Sequence, residues 1–372
     1  MKAPTLPAFK KAVAVLALGL ATSFSAQAEE VLNFYNWSDY IAEDTIANFE
    51  KETGIKVVAD VFDSNEVLEA KMLAGNSGYD IVVPSATFMA RQIQAGVFQP
   101  LDRSKLPNYA GLDKGLMKTL SKLDEGNKHG IPYLWGTTGI GYNVKLVEKA
   151  LGKDAPVNSW DLVFKPENLA KLKDCGVSVL DSADEIYPLA LHYVGMDPGS
   201  KNAADYKDSS KAAQLLKAIR PSITQFHSSQ YINNLANGDI CVAIGWSGDI
   251  LQAMDRADEA ENGVEIAYTI PVEGTSVWFD MLTIPKEAKN ADNAYKFINY
   301  LLDPKVMADI SNYVWYPNGV PASKALLDEE ISSNPSIYPS EEVQAKLFPL
   351  SVHGAKISKL QTRFWANLKA GR

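Results

Sequence analysis

Short apolar runs alternate with segments of helical period along most of the chain. Residues 31–34 form one such run. Ile46 and Phe49 then recur at helical spacing until Gly54, and residues 55–61 read as a strand. Ser64 caps a second helix reaching Gly75, and Tyr79-Asp80-Ile81-Val82-Val83-Pro84-Ser85 reads as a buried strand ending in a hydroxyl. Strands and helices alternating at this spacing predict parallel βα units in a doubly wound sheet. Between residues 131 and 144 the composition shifts to Pro, Gly, Thr and aromatics, which places a crossing to a second lobe there. A second βα series follows. Residues 177–180 lead into Asp181-Ser182-Ala183-Asp184-Glu185, and residues 240–244 lead into Gly245-Trp246-Ser247-Gly248-Asp249. Two more strand-like runs, 264–270 and 277–284, return to the first lobe. A helical run at 293–302, the aromatic loop Tyr313-Val314-Trp315-Tyr316-Pro317 and a mostly polar helical tail complete the chain. The expected architecture is α/β with two doubly wound lobes, one from 29–136 and 264–311, the other from 137–263 and 312–372.

The first 28 residues change the picture of where the chain works. Lys2, Lys10 and Lys11 precede an apolar run from Ala12 to about Ala21, and Ala26-Gln27-Ala28 follows it. This is the pattern of a secretory signal peptide cleaved after Ala28. The run is shorter than the roughly 20 apolar residues a transmembrane helix needs. With no Cys at the cleavage point, a free periplasmic protein is expected rather than a lipid-anchored one. Loss of three lysines takes the formal charge from -9 to -12, which argues against nucleic acid as a partner. Cys175 and Cys241 are the only cysteines. Export permits a disulfide between them, and two unpaired buried thiols are the alternative.

Chemistry concentrates where strands end. Phe34-Tyr35-Asn36-Trp37-Ser38-Asp39-Tyr40 sets an indole, a hydroxyl, a carboxylate and a phenol in four consecutive positions, poor core material that suits a ligand site at a carboxyl sheet edge. The same stretch would also serve as a surface turn, and Asp39, Ser85 and Glu185 as helix caps. Against these readings, Trp37, Ser38, Asp39, Ser85, Glu185, Trp246, Asp249, Trp278, Asp280 and Tyr316 recur together at expected strand termini, and no basic residue is among them. Carboxylates gathered without cationic partners push one another's pKa values up unless a cation arrives. Indole and phenol faces attract ammonium groups and cover methylenes. Catalysis is the competing class, an exported carboxylate-dependent hydrolase in particular. However, Gly245-Trp246-Ser247-Gly248 has Asp249 where a nucleophile elbow needs Gly. The four histidines show no metal-ligand spacing, and Gly139 with Gly141 lacks the third glycine of a dinucleotide fingerprint. No cofactor or metal is expected.

Four stretches carry a resemblance over the whole mature chain: Tyr35-Asn36-Trp37-Ser38-Asp39-Tyr40-Ile41, Val61-Phe62-Asp63-Ser64-Asn65-Glu66-Val67, Thr137-Thr138-Gly139-Ile140-Gly141-Tyr142-Asn143 and His227-Ser228-Ser229-Gln230-Tyr231-Ile232. The sequence resembles the periplasmic polyamine-binding proteins of bacterial ATP-driven importers, the putrescine-binding ones above all. The resemblance implies a type II solute-binding fold, hinged lobes closing on a polyamine, delivery to an inner-membrane permease, and a monomer. It also implies the ligand set named above together with Tyr40, and a bridge between Cys175 and Cys241. A receptor that reports polyamines to a sensor stays open as an alternative role. Trp278 departs from the Phe of the putrescine-binding relatives, and this places spermidine ahead of putrescine, with both expected to bind.

Overall fold

The computed structural model describes residues 30–372, so the expected signal segment lies outside the described residues. Ten strands are present among the described residues: β1 (Val31–Trp37), β2 (Lys56–Phe62), β3 (Ile81–Val82), β4 (Gly130–Asn143), β5 (Val177–Val179), β6 (Gln225–Phe226), β7 (Val242–Trp246), β8 (Ile266–Thr269), β9 (Ser276–Thr283) and β10 (Phe348–Pro349). Their order is β2-β1-β3-β9-β4-β7-β5-β6, with β8 on β4 and β10 on β9. The two ends of this series have the same design. β1 pairs in parallel with β2 and β3, and β5 pairs in parallel with β6 and β7. In each half an antiparallel strand closes the set, β9 against β3 and β4 against β7.

The parallel strands feed helices, as the alternating pattern predicts. Ser64 accepts the Val67 N–H at 3.3 Å to open the helix Asn65–Ala74. Gly54 ends the helix Thr45–Thr53 at φ 74°, a conformation glycine adopts without penalty. Two separate hydrophobic cores result. One gathers Phe34, Phe49, Leu282, Phe297 and Leu301, and the other gathers Trp160, Phe164, Tyr187, Val242 and Phe364. In the first, Phe297 packs edge-on to Phe34 and Phe49 at 5.2 and 4.8 Å between centroids. Each such buried ring contributes about 1.5–3 kcal/mol relative to exposure.

β4 belongs to both halves. Its leading part, Gly130 to Thr137, pairs with β9, and its trailing part, from Thr138, pairs with β7 and β8. The stretch whose Pro and Gly content marks a crossing is therefore a continuous strand of 14 residues. Pro132, which has no N–H to give, sits at a register shift between Pro132 and Trp135. The glycines are explained by what lies over them: a Cβ on Gly136 would come within 2.8 Å of the Trp278 ring.

Past residue 311 the chain packs against both cores, with Trp315 against the second. Val314, Tyr316 and Val320 still pack in the first core, and Ile331 is in the second. In the second half Cys175 and Cys241 are joined by a disulfide with Cα atoms 5.4 Å apart. It ties the lead-in of β5 to the lead-in of β7, strands already in register at Val177 and Val242. Closing a loop of 66 residues restricts the unfolded chain by up to about 4 kcal/mol.

Candidate functional site

A cavity of about 380 Å³ lies between the two cores, where the carboxyl ends of strands from both halves converge. Trp37 ends β1, and Ser38 and Tyr40 follow it. Ser85 precedes the helix Ala86–Gln94, Glu185 stands in the first turn of the helix Ala183–Tyr193, and Trp246 with Asp249 spans the end of β7 and the start of the helix Ser247–Glu259. Trp278 and Asp280 come from β9, and Tyr316 follows the helix Pro304–Val314. All of these line the cavity, so ten of the eleven residues expected at a ligand site are brought together.

Asp39 is the exception. It occupies a left-handed turn (φ 54°), a conformation Asp tolerates better than most residues. Its neighbours Ser38 and Tyr40 face the cavity, but the Asp39 carboxylate reaches Arg256 Nη2 at 2.7 Å and is about one third exposed. Its place is the cleft mouth, where it links β1 to the helix Ser247–Glu259 of the other half. It is therefore not among the residues that line the cavity.

Each carboxylate inside the cavity is held by hydroxyl groups. Asp280 accepts from Tyr40 at 2.9 Å and from Ser85 at 2.6 Å. Ser85 is fixed in turn by Asn65, which donates to its hydroxyl and accepts its N–H. Asp249 accepts from Tyr231 at 2.8 Å and Tyr316 at 2.7 Å, so a phenol from the first core meets a carboxylate from the second. Glu185 accepts from Thr138 at 2.9 Å. All five donors are neutral, and no lysine or arginine lines the cavity. Burial is the main reason that the Glu185 pKa is pushed up to about 8 and those of Asp249 and Asp280 up to about 7, with neighbouring acids adding to it. A cation among these acids would favour their charged forms and draw the pKa values back down.

Aromatic rings form the walls. Trp37 is anchored by its indole N–H donating to Val83 O at 2.8 Å, and stands edge-on to Trp246 with centroids 5.4 Å apart. Trp246 lies 6.4 Å from Trp278, and Trp278 5.3 Å from Tyr316. A Cβ on Gly248 would collide with the Tyr316 ring, so the glycine admits the wall residue.

Sequence reasoning missed Ser228, which lines the cavity, and Tyr231 and Thr138, which orient Asp249 and Glu185. Tyr231 is fully buried. A phenol placed so deeply needs a hydrogen-bond partner, but nothing local in the chain names Asp249 as that partner. At the other side of the cleft Arg91 pairs with Glu69 and reaches Asp184 at 3.2 Å, and Ser182 donates to Glu66 at 3.0 Å.

Two α/β halves built to one strand order, a shared crossing strand and a buried site between them define a two-lobed solute-binding protein with the type II periplasmic binding fold. Residues 44–339 match the family model for bacterial extracellular solute-binding proteins, and the chain belongs to that family. It is 56% identical to the putrescine-binding periplasmic protein PotF of Escherichia coli (strain K12), with 96% of each chain covered. It is also 56% identical to the putrescine-binding periplasmic protein SpuD of Pseudomonas aeruginosa (strain UCBPP-PA14), covering 96% of this chain and 98% of the relative. Among solved structures, a putative spermidine/putrescine ABC transporter from Listeria monocytogenes superposes with a TM-score of 0.81 at 33% identity. That match covers 92% of this chain and all of the other.

Proposed function

We propose that the protein is a periplasmic polyamine-binding protein that captures putrescine and spermidine in the inter-lobe cavity and delivers them, chemically unchanged, to an ATP-driven importer. The observation that carries this reading is the set of three buried carboxylates, Glu185, Asp249 and Asp280, held by neutral hydroxyls inside a wall of indoles and phenols. An ammonium 4 Å from a carboxylate gains about 4 kcal/mol at an effective dielectric of 20, much of it offset by desolvation. Each aromatic face adds about 0.5–2 kcal/mol for a desolvated cation and covers the methylenes between nitrogens. The names of PotF and SpuD support putrescine, and that of the Listeria protein supports spermidine as well.

In this reading Trp37, Ser38, Tyr40, Ser85, Trp278, Asp280 and Tyr316 act from a first lobe comprising 29–136 and 264 onward through Val320. Glu185, Ser228, Trp246 and Asp249 act from the second. A bound polyamine ties the lobes and favours the closed state by its differential affinity. The chain works as a monomer in the periplasm after cleavage behind Ala28. Calorimetric titration of the mature protein with diamines, spermidine, spermine, lysine and arginine tests the proposal. Putrescine and spermidine are expected to bind with Kd of about 1 μM or tighter. The amino acids are expected not to bind, because their carboxylates would enter an acidic cavity. Absence of polyamine binding, or binding of arginine in preference, overturns it.

A further inference from the structure

The helix Ala355–Lys369 carries four basic residues and no acidic one, in a chain with 45 Asp and Glu against 36 Lys and Arg. One of the four, Lys369, is used for the fold: it reaches both oxygens of Asp181 at 2.7 Å. The other three, Lys356, Lys359 and Arg363, are exposed along one face and converge with Lys207 on a groove of about 870 Å³. None of these four groove cations forms an ion pair or side-chain hydrogen bond among the described residues. The nearby acids are engaged elsewhere, Asp205 with Ser200 and Asn202, and Asp208 with Lys217.

This arrangement works against its own helix. Lys356 lies in the first turn, where the helix dipole disfavours a cation, and Lys359 and Arg363 are like charges one turn apart; each effect costs a few tenths of a kcal/mol. His353, three residues before Lys356, is hydrogen-bonded to Tyr206 at 3.0 Å, which fixes the start of this helix against the turn Ala203–Tyr206 on the other side of the groove.

We propose that this basic groove docks an acidic, protruding segment on the periplasmic face of the importer's membrane subunits. The inference rests on the reading of the protein as an importer component. The floor of the groove, with Leu360 and Ala203 between the cations, is concave. It suits a protruding acidic peptide better than a flat lipid surface. Charges at such a contact act mainly on encounter and orientation, and their effect weakens with salt.

The test reverses the groove in the full mature protein, as Lys207→Glu, Lys356→Glu, Lys359→Glu and Arg363→Glu together. A charge-matched control reverses Lys51, Lys114, Lys118 and Lys171. Putrescine affinity of parent and both variants is measured by calorimetry. Stimulation of the importer's ATPase is then measured in zwitterionic nanodiscs. The expected result is unchanged putrescine affinity in all three, with about a tenfold higher concentration of the groove variant needed for half-maximal stimulation, a gap that closes as salt is raised. Equal stimulation by parent and groove variant overturns the inference, and so does an equal loss in the control. Binding of the parent to phosphatidylglycerol vesicles, lost in the groove variant while ATPase stimulation is retained, assigns the groove to lipid and also overturns it. A parent that binds no polyamine refutes the functional reading instead, and calorimetry reports that separately.

Discussion

The cavity and the rim of the cleft use the same acidic side chains in opposite ways. At the rim Asp39 faces Arg256, and Glu69 and Asp184 share Arg91, so each of these carboxylates already has a cation. In the cavity Glu185, Asp249 and Asp280 have only hydroxyl donors, and burial holds their pKa values near 7 to 8. The rim acids are electrostatically complete and partly hydrated. The cavity acids are buried, held by hydroxyls and short of positive charge. A residue's type thus says little about its role here, whereas the charge of its nearest partner says a great deal.

The sharpest way to break this contrast is to remove charge on each side. Asp249→Asn and Asp280→Asn are expected to weaken putrescine binding by about 2–5 kcal/mol each, since a desolvated ammonium loses its counter-charge. Their melting temperatures without ligand should not fall, because an uncharged amide suits a dry site. Calorimetry and thermal melts read both quantities, and binding within threefold of the parent would remove that residue from the ligand site.

A second measurement uses pH. Ordinary Asp and Glu values near 4 in the unfolded chain are raised to about 7 and 8 in the fold. The stability contributed by keeping these acids protonated is therefore fully present below about pH 4 and is lost as pH rises through 7 to 8. Ligand acts in the opposite sense, since an ammonium favours the charged form. Putrescine affinity is expected to drop about tenfold or more from pH 8.5 to pH 6, with protons released on binding near neutrality. Titration in buffers of different ionisation enthalpy counts those protons. An affinity that is flat over this range would mean that the acids are already charged.

The wall is expected to matter less than the charges. Trp278→Phe should cost about 0.5–1.5 kcal/mol and should cost spermidine more than putrescine, because the wider indole covers more of a longer chain. A competition titration gives the ratio directly, and an unchanged ratio would show that Trp278 does not gauge ligand length. At the rim, Asp39→Asn should change affinity by no more than about 1 kcal/mol, as a partly exposed ion pair warrants. A larger loss would place Asp39 with the cavity acids after all.

Most of the cavity was legible in the sequence because acids and aromatics recur where apolar runs end, and such positions in a doubly wound sheet face one edge. The same logic does not foresee that Asp39, in a left-handed turn between Ser38 and Tyr40, pairs with Arg256 while its two neighbours line the cavity. Tyr316 reaches an acid of the second half while its own neighbours Val314 and Val320 pack in the first, a division no local pattern reveals. β6 and β10, two residues each, are too short to carry any periodicity. Ser228 and Thr138 are small hydroxyl residues whose roles exist only through the tertiary fold.

Three of the chain's seven tryptophans line the cavity, Trp246 standing 5.4 Å from Trp37 and 6.4 Å from Trp278. Excitation absorbed by one of these indoles can migrate to the others. An ammonium arriving against their faces alters the local field that sets their emission colour. The binding site is therefore its own optical reporter, and occupancy can be followed in real time through intrinsic ultraviolet fluorescence without attaching a dye.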